Sequence, residues 1–462
     1  MRLWKKLAAT AAALVLAVVG GGALWLAATP PDLLRVGDGY AAKIVCSNTF
    51  LAGRDPEAVL SADVQAPGNP LLRLVRVEVD RGKGLVTARI LGLFAANYAL
   101  YRPGLGCTSV PDGRLDAVQA VTVPAAEPVA DRGALWPSGE WVAAAGDGRL
   151  SSLLADADLG GPGMRAIVAV KDGRIVAEAY GDGFDKDTPL VGWSMTKTVT
   201  ATIIGRLMLE GRLAFDDSDL LPQWHGDGRA QVRLGDLLAM ESGLAFNEDY
   251  GAISDVTRML YLTPDMAAMA ESAPQAAPPG TTFHYSTGTA LVLSRLWMDR
   301  FADPKEATAY PRAALFNPLG MSSATFEVDE HGTFVGGSYL YATARDWARL
   351  GQFLLQDGVW NGRRLLPEGF VTAMRTPTKA SDGAYTRVQA WIRGPNGTVG
   401  EAGVPADAFW LEGHDGQTIT IVPSANLVLV RLGLTPSWLG YRPQGLLEKV
   451  LEAMAVPQAA AK

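Results

Sequence analysis

The chain has 462 residues, of which 48% are hydrophobic, and a formal net charge of −7. That length and hydrophobicity give a globular protein with ample core, one large domain plus accessories. The acidic balance and the lack of any basic run exclude the charge footprint of a nucleic-acid binder, so no nucleic-acid partner is expected.

The N-terminus comes first. Arg2, Lys5 and Lys6 precede an uncharged apolar run from Leu7 to Ala28. Its length suits a membrane span better than a signal-peptide core, and no convincing small-x-small cleavage site precedes Pro30-Pro31. Residues 1–30 therefore read as a signal anchor whose basic flank stays in the cytoplasm. The expected location is the periplasmic side of the inner membrane, with residues 7–28 in the bilayer; a cleaved signal peptide is the alternative. In either case the remainder is exported. The chain has two cysteines, Cys46 and Cys107. In an oxidising compartment an even count favours a disulfide between them over two buried thiols.

Residues 31–135 form an accessory N-terminal region. Asp55-Pro56-Glu57 is a helix start, with aspartate as cap and proline at the first helical position. Leu74 to Val79 alternates as a strand, Arg81-Gly82-Lys83-Gly84 turns, and Leu85 to Leu91 returns. From Val121 to Pro137 alanine, proline and valine dominate without periodicity, which reads as a linker. The main domain spans 136–455, and 456–462 is a tail.

In the main domain, Ala166–Val170 and Arg174–Glu178 flank Asp172-Gly173, a strong hairpin signal. Next, Met195, Val199, Ile203 and Leu207 recur every four residues, a core-facing helix closed by Gly211. Short helices follow through 215–261, then the breaker Pro278-Pro279-Gly280. Further helices are expected over 291–297 and 344–356, a second hairpin over 417–422 and 427–432, and a terminal helix over 444–454. An early hairpin and a late one around a helical block give an α+β fold, an antiparallel sheet flanked by helices with a helical subdomain.

Three stretches carry chemistry. Ser194-Met195-Thr196-Lys197 opens the core-facing helix, so serine and lysine share one face near a helix N-terminus. A serine hydroxyl needs an adjacent base, and a desolvated lysine can be that base. Tyr285-Ser286-Thr287-Gly288 follows the proline–glycine breaker, which places Tyr285 on a short connection before a helix. Gly413-His414-Asp415-Gly416-Gln417 precedes a strand, and its glycines allow a backbone N–H to come close to a bound carbonyl. Thr196 stands where a Gly-x-Ser-x-Gly elbow needs its second glycine, which closes the nucleophile-elbow reading. The four histidines, His225, His284, His331 and His414, are dispersed, with neither His-x-x-x-His nor Cys-x-x-Cys spacing. No metal site is expected. Without a dinucleotide or Walker-type loop, no cofactor is expected either.

The three stretches in this order resemble the serine β-lactamase/penicillin-recognising superfamily, and more closely its branch of esterases and 6-aminohexanoate-dimer hydrolases. The resemblance covers about 136–455. It extends to Phe246–Tyr250 with Ser254-Asp255, to Leu340–Trp347, and to Gln356–Trp360 before Leu366-Pro367-Glu368-Gly369. It implies a β-lactamase/transpeptidase-like sandwich and an acyl-enzyme hydrolase of small ester or amide substrates. Ser194 would be the nucleophile, Lys197 the residue that deprotonates it, and Tyr285 the proton relay to the leaving group. The oxyanion hole would use the Ser194 N–H and a second N–H in the third motif (His414, Gly416, Gln417), from Gln417 or, on a shifted alignment, His414. Asp249, Tyr250 and Trp391 are candidate pocket residues. Literal Ser-Asp-Asn and Lys-Thr-Gly are absent, which counts against efficient β-lactam hydrolysis. The competing readings are β-lactamase or DD-peptidase activity, a Ser-His-Asp triad built on His414, and a catalytically silent binding protein of the envelope. The plainer roles are Ser194 as a helix cap, Tyr285 and Trp391 as packing aromatics, and Asp249 and Tyr250 on a surface loop.

Overall fold

The computed structural model describes residues 2–116, 118, 127, 131–143 and 148–455. Most of the linker expected over 121–137, and all of the tail 456–462, lie outside the described residues. The chain divides into two compact units. The first comprises Met1–Arg102, Cys107–Val118 and Asp249–Pro264; the second comprises Pro103–Gly106, Gln119–Glu248 and Asp265–Lys462.

The first unit begins with α1, Arg2–Ala28. Its stretch Trp4–Ala28 has a mean hydropathy of 2.1 and is long and apolar enough to cross a membrane by length and composition. Pro30-Pro31 ends it, and α2 runs from Asp32 to Leu51. Sequence periodicity did not reveal α2, because its buried face is partly polar: Asp38, Lys43, Ser47, Asn48 and Thr49 are all buried. Asp38, Lys43 and Ser47 have partners. The Asp38 carboxylate accepts the Ile90 N–H at 3.0 Å, and Lys43 Nζ donates to Ser47 Oγ at 2.9 Å. Burial pushes the Asp38 carboxyl up to about 8.

The expected hairpin is present as β1 (Val75–Asp80) and β2 (Leu85–Ile90), in register from Val75 opposite Ile90 to Asp80 opposite Leu85. It continues into β3 (Phe94–Arg102) and β4 (Gly106–Ser109), giving a four-stranded sheet in the order β1-β2-β3-β4. Asp55 caps the next helix as read from sequence, accepting the Ala58 N–H at 2.9 Å. Cys46 on α2 and Cys107 on β4 are joined in a disulfide between two fully buried positions. Their separation of 61 residues makes the bridge a strong constraint on the unfolded chain. Replacing both cysteines by serine is expected to cost the first unit about 2–5 kcal/mol, read as a lower denaturation midpoint. Adding a thiol reductant to the unaltered protein should reproduce the loss.

The second unit is built on five antiparallel strands. These are β5 (Met164–Lys171), β6 (Arg174–Tyr180), β7 (Phe409–Gly413), β8 (Gln417–Val422) and β9 (Leu427–Gly433), in the order β7-β8-β9-β5-β6. Asp172 and Gly173 turn the first hairpin with φ of 51° and 76°, the positive values that a tight Asp-Gly turn demands. The main helices are α3 (Met195–Leu209), α4 (Thr287–Met298), α5 (Ala344–Leu355) and α6 (Gln444–Ala455).

Both faces of the sheet are covered, which explains why its strands read as unbroken apolar runs. Ile167, Ala169, Leu427 and Leu429 form one core with Leu446, Leu447 and Val450 of α6. On the opposite face α5 lies so close that a Cβ on Gly351 would stand 2.5 Å from Val428 Cγ1. The expected α+β sandwich is the observed fold.

Candidate active site

Ser194 sits at the N-terminal boundary of α3, with φ −66° and ψ −9°. Its side chain makes no capping hydrogen bond, so the hydroxyl is free for other work. The approach to it is tightly built. Leu190 and Val191 pair antiparallel with Ala342 and Tyr341, and the Gly192 N–H donates to Leu340 O at 2.9 Å. Trp347 buttresses this strand, its Nε1 donating to Leu190 O at 3.2 Å. A Cβ on Gly192 would meet the Trp347 ring at 2.3 Å, which is why glycine stands there. Trp193 then adopts φ +46°, an uncommon value for a bulky residue and one that turns the chain sharply into the helix.

Lys197, one turn along α3, is buried. Its Nζ donates to Ser194 Oγ at 2.9 Å, Thr287 Oγ1 at 2.9 Å and Gly337 O at 3.0 Å. The face of the Tyr285 ring lies 4.8 Å from Nζ. Burial pulls the lysine down to about 8, against the opposing pull of the Glu248 carboxylate. The Gly337 carbonyl reaches Lys197 only because residue 337 has no side chain: a Cβ there would stand 2.7 Å from Thr287 Cγ2.

Tyr285 lies immediately before α4, whose cap Ser286 accepts the Thr289 N–H at 3.0 Å. The Ser194 side chain lies near enough to the tyrosine hydroxyl to oppose the rise in its pKa. Burial, together with the Glu248 and Glu412 carboxyls, raises the Tyr285 pKa and keeps the phenol protonated. Trp391 lies 5.4 Å from the Tyr285 ring and 4.7 Å from that of Tyr385. It thus belongs to the aromatic packing that fixes Tyr285.

The third motif stands at the same place. A Cβ on Gly413 would lie 2.2 Å from the Gly192 carbonyl oxygen, so the end of β7 passes directly beside the residues that precede Ser194. The turn continues with Asp415 and Gly416 at φ 58° and 82°. Gln417 locks this turn through its side chain: Nε2 donates to His414 O at 3.0 Å and Gly433 O at 2.6 Å, while Oε1 accepts the Gly433 N–H at 2.9 Å. The His414 ring is exposed, 5.8 Å from Trp193, with its Nε2 3.4 Å from Asp415 Oδ1. The side chain hydrogen-bonded to Ser194 Oγ is that of Lys197, at 2.9 Å.

Ser194, Lys197, Tyr285 and the 413–417 turn are therefore brought together. Asp249 and Tyr250 are not part of this unit; they fall in the Asp249–Pro264 segment of the first. Sequence reasoning missed Thr287, Glu248 and Gly337. Thr287 had a signal, lying two residues after Tyr285, and Glu248 lay within the run Phe246–Tyr250. Gly337 had none. The arrangement presents a serine hydroxyl, a desolvated amine, a protonated phenol and a glycine-bounded strand end within one small space. That set suits acyl transfer.

A family model described as Beta-lactamase matches residues 151–444. A 6-aminohexanoate-dimer hydrolase from Paenarthrobacter ureafaciens is 24% identical over 301 residues, which cover 59% of this chain and 72% of that protein. Among solved structures, a protein from Bacillus anthracis described as a candidate 6-aminohexanoate-dimer hydrolase aligns with a TM-score of 0.56 and 23% identity, covering 74% of this chain and 90% of that one. A penicillin-binding protein homologue from Caulobacter crescentus aligns with a TM-score of 0.53 and 17% identity, covering 68% and 99%. At these identities the structural likenesses speak for the fold.

Proposed function

The chain belongs to the Beta-lactamase family, and from that premise we propose that it is an exported serine hydrolase acting through an acyl-enzyme on ester or amide bonds. The observation that carries this reading is the 2.9 Å contact between Lys197 Nζ and a Ser194 hydroxyl that caps nothing. Neutral Lys197 takes the Ser194 proton as Oγ attacks the substrate carbonyl. The carbonyl oxygen gains negative charge and is met by the Ser194 N–H and an N–H of the 413–417 turn, each such donor contributing about 3–4 kcal/mol. Collapse expels the alcohol or amine, which receives its proton from the Tyr285 hydroxyl; Lys197 then reprotonates Tyr285. Water hydrolyses the acyl-enzyme by the same proton path in reverse.

The similarity to a 6-aminohexanoate-dimer hydrolase supports an amide or ester as substrate. His414-Asp415-Gly416 stands in the third motif in place of the Lys-Thr-Gly of penicillin-directed sites, which counts against efficient β-lactam hydrolysis. The apolar helix Trp4–Ala28 supports export, with the helix kept as a membrane anchor. A fluorophosphonate probe should label the protein but not its Ser194→Ala variant. A panel of p-nitrophenyl esters, nitrocefin and the aminohexanoate dimer should then show turnover of an ester or the dimer in preference to nitrocefin. No labelling of the unaltered protein would sink the hydrolase reading and leave a silent binder.

A further inference from the structure

We infer that Glu248, acting through Thr287, is a positioning residue that aims the lone pair of neutral Lys197 at Ser194 Oγ. This rests on the reading of Lys197 as the base and concerns how that base is oriented.

Around Lys197 Nζ stand three oxygens, Ser194 Oγ, Thr287 Oγ1 and Gly337 O, at 2.9, 2.9 and 3.0 Å. An ammonium can donate one proton to each. A neutral amine has two N–H bonds and one lone pair, so one of the three directions must become the accepting one. The amine is a base toward Ser194 only if that direction is Ser194 Oγ.

Gly337 O is a carbonyl and can only accept. Thr287 Oγ1 carries a proton of its own, and on its own could donate it to the lysine lone pair. The Glu248 carboxylate prevents this. One oxygen, Oε2, accepts the Thr287 N–H at 2.8 Å, and the other, Oε1, accepts the Thr287 hydroxyl proton. Held across both donors, the carboxylate fixes the hydroxyl so that only its lone pairs face Lys197. Thr287 and Gly337 then take both N–H bonds, and the lone pair is left for the Ser194 proton. The proton passes from Ser194 Oγ to Lys197 Nζ, which becomes an ammonium able to donate to all three oxygens. The other polar group against Lys197 is Tyr285, which presents its ring face; Glu412 faces Tyr285 in turn.

The test is kcat/KM against pH, with a p-nitrophenyl ester, for Glu248→Gln, Thr287→Val, Thr287→Ser and the double variant Glu248→Gln/Thr287→Val. Glutamine presents an amide donor to the Thr287 hydroxyl and frees its proton for Lys197. The high-pH plateau of Glu248→Gln is expected to fall about 10–100-fold. Its alkaline rise should also move to lower pH, because the carboxylate that favours the ammonium is gone. Thr287→Val should lose a similar factor, and Thr287→Ser should keep most activity. The double variant should be no worse than Thr287→Val alone, since Glu248 works through that hydroxyl. A wild-type plateau in Glu248→Gln, or losses that multiply in the double variant, would overturn the inference. Should Glu248→Gln fail to fold, the valine–serine contrast at 287 decides: equal activity of the two sinks it. A fully active Lys197→Ala would instead sink the underlying base reading.

Discussion

Lys197→Ala is expected to lower the rate of ester acylation by about 10²–10⁴-fold, the span that a positioned general base contributes. The unaltered protein should show a rate that climbs with pH through about 8. The sign follows from the chemistry. Only the neutral amine can take the Ser194 proton, so the active fraction is small below the lysine pKa and saturates above it. Burial, the largest influence on Lys197, disfavours the ammonium and brings this transition down into the neutral range; the Glu248 carboxylate limits how far it falls. A Ser-His-Asp mechanism makes a different prediction. Its rate would not depend on Lys197 and would vanish in His414→Ala. Initial rates between pH 6 and 10 on Lys197→Ala, His414→Ala and the unaltered protein separate the two. Activity that survives loss of Lys197 but not loss of His414 would reverse the assignment. Circular dichroism of Lys197→Ala is expected to match the unaltered protein, because alanine leaves α3 its helix-forming backbone.

The parts of this architecture that were legible in the sequence are those set by local rules. Asp172-Gly173 turns a hairpin because those residue types tolerate positive φ, and the period of Met195, Val199, Ile203 and Leu207 marks a helix by its apolar stripe. Tyr285 was legible through the proline–glycine breaker that precedes it. α2 was hidden because its buried face carries Asp38, Lys43 and Ser47, whose cost of burial is offset by partners a linear reading does not show. The environment of Lys197 was hidden for a related reason. Its other two acceptors come from 90 and 140 residues away in the chain. No periodicity encodes which carbonyl will meet a lysine. The run Leu340–Trp347 was visible as a family-like stretch, yet its purpose was not. Tyr341 and Ala342 pair with the strand leading to Ser194, and Trp347 packs against Gly192. That run holds the site from behind.

The same run gives the largest expected effect on stability. Asp346→Ala should destabilise the second unit by about 3–5 kcal/mol, because it removes the buried one of the two carboxylates paired with buried Arg349 and also the acceptor of the Ser323 N–H. Arg349 is fully buried, and its Nη1 donates to Asp346 Oδ1 at 2.6 Å. The other oxygen of Asp346 accepts the Ser323 N–H at 2.9 Å, so two further donors lose their acceptor when the carboxylate is removed. Glu140 remains against Arg349 at 2.8 Å, and the carbonyls of Pro137 and Gly139 at 3.1 and 2.7 Å, but none of them reaches Ser323. Burial pushes the Asp346 carboxyl up while Arg349 and Ser323 pull it down, the signature of a charge tolerated only through its partners. Removing both charges tests this directly. Asp346→Leu with Arg349→Met should cost less than Asp346→Ala alone, since the buried arginine that lost one of its two carboxylates is gone as well, while Glu140 keeps Arg345. Urea denaturation monitored by tryptophan fluorescence reads both variants, and a loss below about 1 kcal/mol in Asp346→Ala would show that the pair is dispensable. Because α5 carries Trp347 onto the strand before Ser194, loss of fluorophosphonate labelling should track the unfolding curve of each variant rather than precede it.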